Sequence, residues 1–111
     1  MGKNQKEVVA VLPGVTREIL ASGKKIMIAK FSFAKGAEVP VHSHPHEQCS
    51  YIREGSFTYT LNGQNSDVQA NDCMLVPPGT PHGAIAKEEG IIIDVFSPPR
   101  EDFLATTSHE E

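Results

Sequence analysis

The sequence contains only two cysteines, no tryptophan, and no long run of apolar or cationic residues. Cys49 and Cys73 lie far apart and lack CxxC spacing, so we interpret them as reduced structural thiols rather than as a disulfide framework or a thiolate metal site. The longest apolar stretches, such as residues 91–93, fall far short of the roughly 20 residues that cross a bilayer. Without clustered lysines and arginines the chain lacks the basic surface of a nucleic-acid-binding protein. We therefore expect neither a nucleic acid nor a membrane as a partner.

The length and composition predict one globular domain. With 111 residues, of which 39% are hydrophobic and 22% charged, the chain can bury one core and has no room for a second domain. We place the domain at residues 1–111, with a core at about 7–104 and a flexible polar tail at 105–111, in which His109 is expected to be solvated. The first residues lead into no apolar segment of the signal type, which predicts a cytoplasmic protein.

Short β segments separated by turns account for nearly the whole chain. Eight prolines and nine glycines are spread along it as turn signals rather than clustered. Apolar and polar residues alternate between these turns, for instance in the segment 25–33, where Met27, Ala29, Phe31 and Phe33 share one face. The predicted strands are 8–12, 17–21, 25–33, 38–42, 48–53, 57–61, 64–68, 73–76, 82–86 and 91–96.

The dipeptide Asn62-Gly63 gives the clearest turn signal. Both residue types tolerate the positive φ angles of a two-residue type I′ turn, so the strands on either side are expected to form a hairpin. About ten short strands and no segment with a helical period indicate an all-β fold of the barrel or jelly-roll kind. Such a fold removes exposed sheet edges by closing on itself.

Histidine is concentrated in one short segment. Four of the five histidines lie at positions 42, 44, 46 and 82, and three of them fall within residues 42–48. Because side chains two apart on a strand point to the same side, His42 and His44 can present two imidazoles to one point inside a barrel. Imidazole is a ligand for Zn, Cu, Fe and Ni, and a neighbouring strand could supply one or two more ligands. The recurrence of His82 after the proline-rich turn 77–81 favours a metal site over a merely solvated or hydrogen-bonded set of histidines.

Two spaced motifs resemble those of the cupin family. They are Gly36-x5-His42-x-His44-x3-Gln48-x6-Gly55 and Asn71-Asp72-x4-Pro77-x-Gly79-x2-His82. In that family, two histidines and an acidic residue of the first motif join one histidine of the second around a metal ion in the barrel. The resemblance implies a single cupin-type jelly-roll β-barrel that binds one divalent transition metal ion, Ni, Zn, Fe, Co or Mn. The ligands it implies are His42, His44, Gln48 and His82.

The sequence departs from the cupin pattern at two positions. Asn71 replaces the usual glycine, and asparagine also tolerates left-handed turn geometry. Gln48 replaces the usual glutamate, which leaves the site one charge unit more positive and is expected to raise Lewis acidity and the attraction for anions while lowering metal affinity. Glu47 is adjacent to Gln48, so its side chain is expected to point to the opposite face of the strand, outside the barrel. His46 has the spacing of a ligand, but because Pro45 breaks the strand we expect it at the rim of the site, where it would contact substrate. A role for His46 as a further metal ligand is the alternative.

Longer stretches resemble the small cupins of pectin and alginate breakdown, over residues 36–104 in total. They are His42-Ser-His-Pro-His-Glu-Gln48, Val76-Pro-Pro-Gly-Thr-Pro-His-Gly83 and Asp94-Val-Phe-Ser-Pro-Pro-Arg-Glu-Asp-Phe103. Those enzymes open a cyclic 4,5-unsaturated uronate to the linear 5-keto-4-deoxyuronate, so the resemblance implies a small anionic sugar acid as substrate. By this likeness Asp94 carries the proton, Arg100 grips the sugar carboxylate, and Phe96 packs against the ring.

Other interpretations of these residues stay open. Taken alone, Asp94 could be a strand-end residue paired with a lysine, Phe96 a core residue, and Arg100 a residue of the surface or of a dimer interface. The chain could be a metal-dependent enzyme on another small substrate, including a dioxygenase if the metal is Fe, although Gln48 does not match the usual two-histidine-and-carboxylate site. It could also be a non-catalytic module that binds metal or a small molecule. A homodimer is expected, because small open jelly rolls often cover a sheet edge or an apolar face by pairing.

Overall fold

The computed structural model of the chain describes residues 7–105. In chain order the elements are β1 (Val8–Leu12), β2 (Val15–Ser22), β3 (Met27–Phe33), β4 (Glu38–His42), β5 (Glu47–Glu54), β6 (Ser56–Leu61), β7 (Gln64–Gln69), β8 (Cys73–Val76), β9 (His82–Ala86), β10 (Gly90–Ser97) and α1 (Glu101–Ala105). Every predicted strand is confirmed, with bounds that differ by at most two residues.

The strands form two antiparallel sheets that enclose a shared core. The larger sheet has the order β1-β2-β3-β10-β5-β8, and the smaller has the order β4-β9-β6-β7. Phe33 and Ile52 enter the core from the larger sheet, and Phe57 and Ala86 enter it from the smaller. The rings of Phe33 and Phe57 meet edge to face, with their centroids 5.0 Å apart. Full burial of such side chains contributes roughly 1.5–3 kcal/mol each. This arrangement confirms the predicted all-β jelly-roll barrel.

Backbone angles at two turns also agree with the sequence-based expectations. Asn62 has φ 51° and Gly63 has φ 82°, and the two residues connect Leu61 to Gln64, the last pair of the β6–β7 hairpin. Positive φ at both central positions is the conformation that a type I′ turn requires. Asn71, which stands where a glycine is usual, has φ 79° and adopts the left-handed conformation.

A short helix follows the last strand, whereas the sequence predicted no helix. Helix α1 has five residues, too few for a period of 3.6 to be visible in the sequence. Two acidic residues in its first turn complement the helix dipole. Phe103 of this helix packs against Phe31 and Phe96, at centroid distances of 6.0 and 5.4 Å. The helix therefore covers one end of the barrel interior.

The C-terminal end of the domain differs slightly from the prediction. Helix α1 includes Ala105, which was expected in the flexible tail. The rest of the predicted tail, residues 106–111 with His109, lies outside the described residues. Within residues 7–105, no helix is long and apolar enough to cross a membrane.

Candidate metal centre

Two histidines face each other on neighbouring strands of the smaller sheet. His42 ends β4 and His82 begins β9, where the two are paired in register with ring centroids 4.4 Å apart. The Nδ1–H group of His42 donates to the carbonyl of Pro40, and that of His82 donates to the carbonyl of Thr80, each at 2.9 Å. In the neutral ring this leaves the lone pair of Nε2 for another partner, and backbone contacts of this kind orient metal-binding histidines.

His44 completes a cluster of three histidines. It follows β4, is 9% exposed, and has its ring centroid 5.7 Å from that of His42 and 4.8 Å from that of His82. One ring nitrogen from each histidine lies within 4.8 Å of the other two. The backbone N–H of Gly79 donates to the carbonyl of His44 at 2.8 Å, which ties the turn before His82 to the first histidine segment. The three histidines are therefore positioned to hold a metal ion.

Buried nitrogen atoms indicate that a cation fits this cluster. In the part of the chain that the structure describes, His44 Nδ1 and His82 Nε2 of the cluster and Nδ1 of the adjacent His46 are buried without a hydrogen-bond partner. Such an atom costs about 1–3 kcal/mol, which coordination to an ion would offset. Burial lowers the pKa of His82 to about 4, and burial together with the positive charge of Arg100 lowers the pKa of His44. Both rings are therefore neutral at pH 7, which is the form that binds metal.

Gln48 lies beside the histidine cluster on β5 of the larger sheet. The residue is 4% exposed, and its Oε1 accepts a hydrogen bond from His44 Nε2 at 2.8 Å. Its amide nitrogen donates to Ser50 Oγ at 3.0 Å. Glu47, in contrast, is exposed, as its parity predicted. Of these two adjacent residues, Gln48 is the one that offers an oxygen atom at the cluster.

A hydrogen-bond network connects Gln48 to a carboxyl group. Ser50 Oγ donates to Asp94 Oδ1 at 2.6 Å and, since its only proton is used there, accepts from the Tyr59 hydroxyl at 2.8 Å. Ser50 and Asp94 are directly opposite each other on β5 and β10. Burial raises the pKa of Asp94 to about 7, although hydrogen bonds from Ser50 and Gln48 oppose that shift. Burial also raises the pKa of Tyr59, which remains a neutral donor.

These groups line a cavity of about 210 Å³ inside the barrel. Its polar lining includes His42, His82, Gln48, Ser50, Tyr59 and Asp94. Its apolar lining includes Val11, Leu12, Phe31, Phe33, Val39 and Ile92. Two arginines, Arg17 and Arg100, complete the wall together with Phe96 and Phe103. A small molecule in this cavity would therefore meet the histidine cluster, a carboxyl group and two cations.

Arg100 and Phe96, which the resemblance assigned to substrate binding, both line this cavity. Phe96 is 1% exposed and also packs with two residues of β3 in a small core cluster. The guanidinium carbon of Arg100 lies 5.2 Å from the ring centroid of Phe96 and 4.2 Å from that of Phe103. Asp102 accepts hydrogen bonds from its Nε and Nη2 atoms at 3.0 and 2.8 Å. Arg100 is thus held at the cavity with one edge of its guanidinium group already engaged.

His46 occupies a different position from the other three histidines. It is half-buried, and its ring centroid lies 5.4 Å from that of His44. It belongs neither to the three-histidine cluster nor to the cavity lining. The contact between His46 and substrate therefore stays a prediction.

Four residues of the site were not identified from the sequence. Arg17, Ser50 and Tyr59 are buried residues on β2, β5 and β6. Each lies two positions from a buried apolar residue of its own strand and so shares that residue's inward-facing side. The alternation of inward and outward side chains along the strands could therefore have identified them. Phe103 ends the third stretch that resembles the uronate cupins, but it lies on the short helix that the sequence did not predict, and no alternation indicated that it faces the cavity.

Sequence comparison relates the chain to a known family. The sequence profile of the cupin domain matches residues 29–96. The pectin degradation protein KdgF of Dickeya dadantii is 36% identical over 93 residues, which make up 82% of this chain and 84% of that protein. Both matches include the two motifs that carry the histidine cluster.

Solved structures agree with this relationship. An RmlC-like cupin from Shewanella frigidimarina is 42% identical, with a TM-score of 0.86 and 90% of each chain covered. KdgF from Halomonas sp. is 33% identical, with a TM-score of 0.85 over 90% of this chain and 93% of that chain. The chain therefore belongs to the cupin family and is similar to KdgF proteins over most of its length.

Proposed function

We propose that this chain binds one divalent transition metal ion and ketonises 4,5-unsaturated uronates. The proposed ligands are His42, His44, Gln48 and His82. The observation that carries the proposal is the cavity that combines the histidine cluster with Asp94 and Arg100. The likeness to KdgF proteins supports a substrate that arises in pectin breakdown. Conversion of the unsaturated products of an oligouronide lyase by the metal-loaded chain tests the proposal.

The proposed reaction is an isomerisation that moves one proton. The C1 hydroxyl of the cyclic uronate loses its proton as the bond between C1 and the ring oxygen breaks, which leaves an aldehyde at C1 and an enol oxygen at C5. The enol becomes a ketone when C4 takes up a proton. No oxidant or reductant is consumed. A divalent ion at the histidine cluster would supply a Lewis acid that stabilises negative charge on oxygen.

The side chains of the cavity supply the remaining functions. Asp94 accepts the proton from the C1 hydroxyl and returns a proton to C4, while Ser50 holds its Oδ1 atom through a 2.6 Å hydrogen bond. Arg100 binds the sugar carboxylate through the donors that Asp102 does not engage. Phe96 packs against the sugar ring and helps to exclude water.

The Asp94→Asn variant should lower turnover more than substrate binding. The amide has nearly the shape of the carboxyl group but does not carry the proton, and general acid–base groups typically contribute about 10²–10⁴-fold. We expect kcat to fall within that range while KM and metal content change little. Steady-state kinetics on unsaturated uronates and elemental analysis measure these quantities.

Asp67→Asn is a suitable control for the Asp94 variant. The Asp67 side chain is 76% exposed and pairs with Lys87 at the surface, so its replacement should leave kcat unchanged. A wild-type kcat in the Asp94→Asn variant would show that Asp94 does not carry the proton. An equal drop in both variants would do the same, because the effect would then not be specific to the cavity.

The Gln48→Glu variant tests whether the absence of charge on the Gln48 side chain matters for metal binding and turnover. A carboxylate adds one negative charge beside the histidines, so the variant should bind the metal as tightly or more tightly. The same charge should lower the Lewis acidity of the bound ion and repel an anionic substrate, so turnover should fall. Metal titration and kinetics measure the two effects, with Glu47→Gln on the outer face as the control. Unchanged turnover in Gln48→Glu would show that the neutral ligand is incidental.

A further inference from the structure

The larger sheet carries apolar side chains on its outer face, which is turned away from the core and the cavity. Side chains alternate between the two faces of a strand, so the neighbours of an inward-facing residue point outward. On β5, Ser50 is buried and lines the cavity, which places Cys49 and Tyr51 on the outer face. The same alternation on β3, β10 and β8 places further apolar or weakly polar residues on this face: Ile28, Ile93, Val95, Cys73 and Leu75.

The register of the strands joins these residues into two continuous rows. Val95 is paired with Ile28 on one side and with Cys49 on the other. Cys49 is in turn paired with Leu75 on the edge strand β8, where Leu75 is 56% exposed. The next row, on β10, β5 and β8, consists of Ile93, Tyr51 and Cys73. Contiguous apolar surface with a polar rim is typical of a site where another molecule binds.

Two opposite charges lie at the ends of these rows on β5. Glu47 and Arg53 are both exposed and share the outer face with the two weakly polar residues between them. Within residues 7–105 neither of them forms an ion pair, whereas Lys30 on the same face pairs with Glu18 at 3.4 Å. A two-fold axis at the middle of the β5 series exchanges its ends, so it would bring Glu47 of each copy to Arg53 of the other. The outer face is therefore complementary to itself in charge.

The end segments of the chain are poorly suited to cover this face. Residues 1–6 and 106–111 contain Met1 as their only large apolar residue, and the others are glycine or polar and charged residues. Hydrophobic stabilisation grows with the apolar area that both partners remove from water, and these segments have little to offer. A second copy of the sheet, in contrast, presents the same apolar rows.

We propose that a second copy of the chain packs on the outer face of the larger sheet, with the two β5 strands antiparallel and Glu47 of each copy paired with Arg53 of the other. Two sheets that pack face to face in this way bury the apolar rows of both copies. The cavities lie on the inner sides of the two sheets and stay separate. The inference concerns a surface outside the cavity and does not depend on the proposed reaction.

Sedimentation velocity of the full chain over a wide range of concentrations tests this packing. The wild type should sediment as a dimer that dissociates on dilution. Leu75→Lys buries one charge from each copy in the apolar rows, so the dissociation constant should rise by about 10-fold or more. Ile85→Lys is the matched control, since Ile85 is 43% exposed on β9 of the smaller sheet, and it should leave the dimer unchanged. Circular dichroism measures whether both variants keep the fold.

Charge reversal tests the antiparallel arrangement without placing a charge in the apolar rows. Glu47→Arg and Arg53→Glu should each raise the dissociation constant by about 3- to 10-fold, because like charges then meet twice in each dimer. The double variant exchanges the two charges and should associate as the wild type does. A double variant as weak as either single one would overturn the proposal.

Two further results would contradict the proposed interface. One is a wild-type chain that stays monomeric at concentrations up to the millimolar range. The other is a dimer that Leu75→Lys leaves intact, or that Leu75→Lys and Ile85→Lys weaken equally. None of these measurements involves metal or substrate, so the interface and the proposed function can fail independently of each other.

Discussion

Replacement of His82 by alanine is expected to remove the metal ion while the barrel stays folded. His82 is 3% exposed and faces His42 in the histidine cluster. Loss of a residue that only hydrogen-bonds to a metal ligand and orients it lowers metal affinity by roughly 10–100-fold. Loss of a ligand itself should lower the affinity further. The core clusters around Phe57 and Phe96 do not include His82. Elemental analysis after dialysis measures the metal, and thermal unfolding followed by circular dichroism measures the fold.

His46→Ala is the matched control for this variant. The ring of His46 lies beside His44, yet His46 is not part of the three-histidine cluster. We therefore expect the His46 variant to retain one metal ion per chain. Full metal content in His82→Ala would refute the proposed ligand set. So would an equal loss of metal in both variants, because proximity alone would then explain the effect.

Replacement of Arg100 by alanine is expected to lower kcat/KM for unsaturated uronates by roughly thirty- to a thousand-fold. This range corresponds to about 2–4 kcal/mol, which is the order expected when charge-assisted contacts to a carboxylate are removed. Metal content should not change, because Arg100 is not a proposed ligand. Initial rates over a range of substrate concentrations, together with elemental analysis of the same samples, measure both quantities.

The Asp102→Asn variant separates substrate binding by Arg100 from its packing role. Asp102 holds Arg100 at 2.8 Å, but its own side chain is 60% exposed, so the pair is worth little in isolation. We expect only a small loss of activity, because Arg100 remains stacked on Phe103 at the cavity. If Asp102→Asn lowers activity as much as Arg100→Ala, ordering of helix α1 explains both. A wild-type rate in Arg100→Ala would exclude carboxylate binding by this residue.

Several strands could be predicted because they have a buried face with a period of two. In β3, Met27, Ala29 and Phe33 are buried, and this alternation is visible in the sequence. The hairpin could be predicted for a different reason, since Asn62 and Gly63 tolerate backbone angles that other residues avoid. Helix α1 could not, because its one turn is stabilised by contacts between Phe103 and the barrel rather than by a repeating pattern.

The histidine cluster could also be predicted from spacing. Residues two apart share a face, which placed His42 and His44 together, and the proline-rich turn indicated that His82 follows on a new strand. The spacing gives no information on which strands become neighbours. The His42–His82 pairing became visible only in the register of β4 and β9.

The remaining residues of the site are brought together by contacts between residues that are far apart in the sequence. Ser50 and Asp94 are 44 positions apart and meet because β5 and β10 are neighbours in the larger sheet. Arg17 and Phe103 are 86 positions apart and meet because the chain returns across the barrel end. Parity indicates that Arg17 and Ser50 face inward, but the identity of their partners follows only from the three-dimensional fold.

Conversion of unsaturated uronates by the metal-loaded chain tests the central claim most directly. Monomers released by an oligouronide lyase would be incubated with metal-free chain, with chain loaded with each candidate metal, and with buffer alone, and products would be followed by NMR. We predict that at least one metal-loaded form, carrying one ion per chain, yields the linear 5-keto-4-deoxyuronate much faster than buffer does, while the metal-free chain does not. A chain with one bound ion that converts the substrate at the rate of buffer alone, whichever metal it carries, would contradict the proposed function.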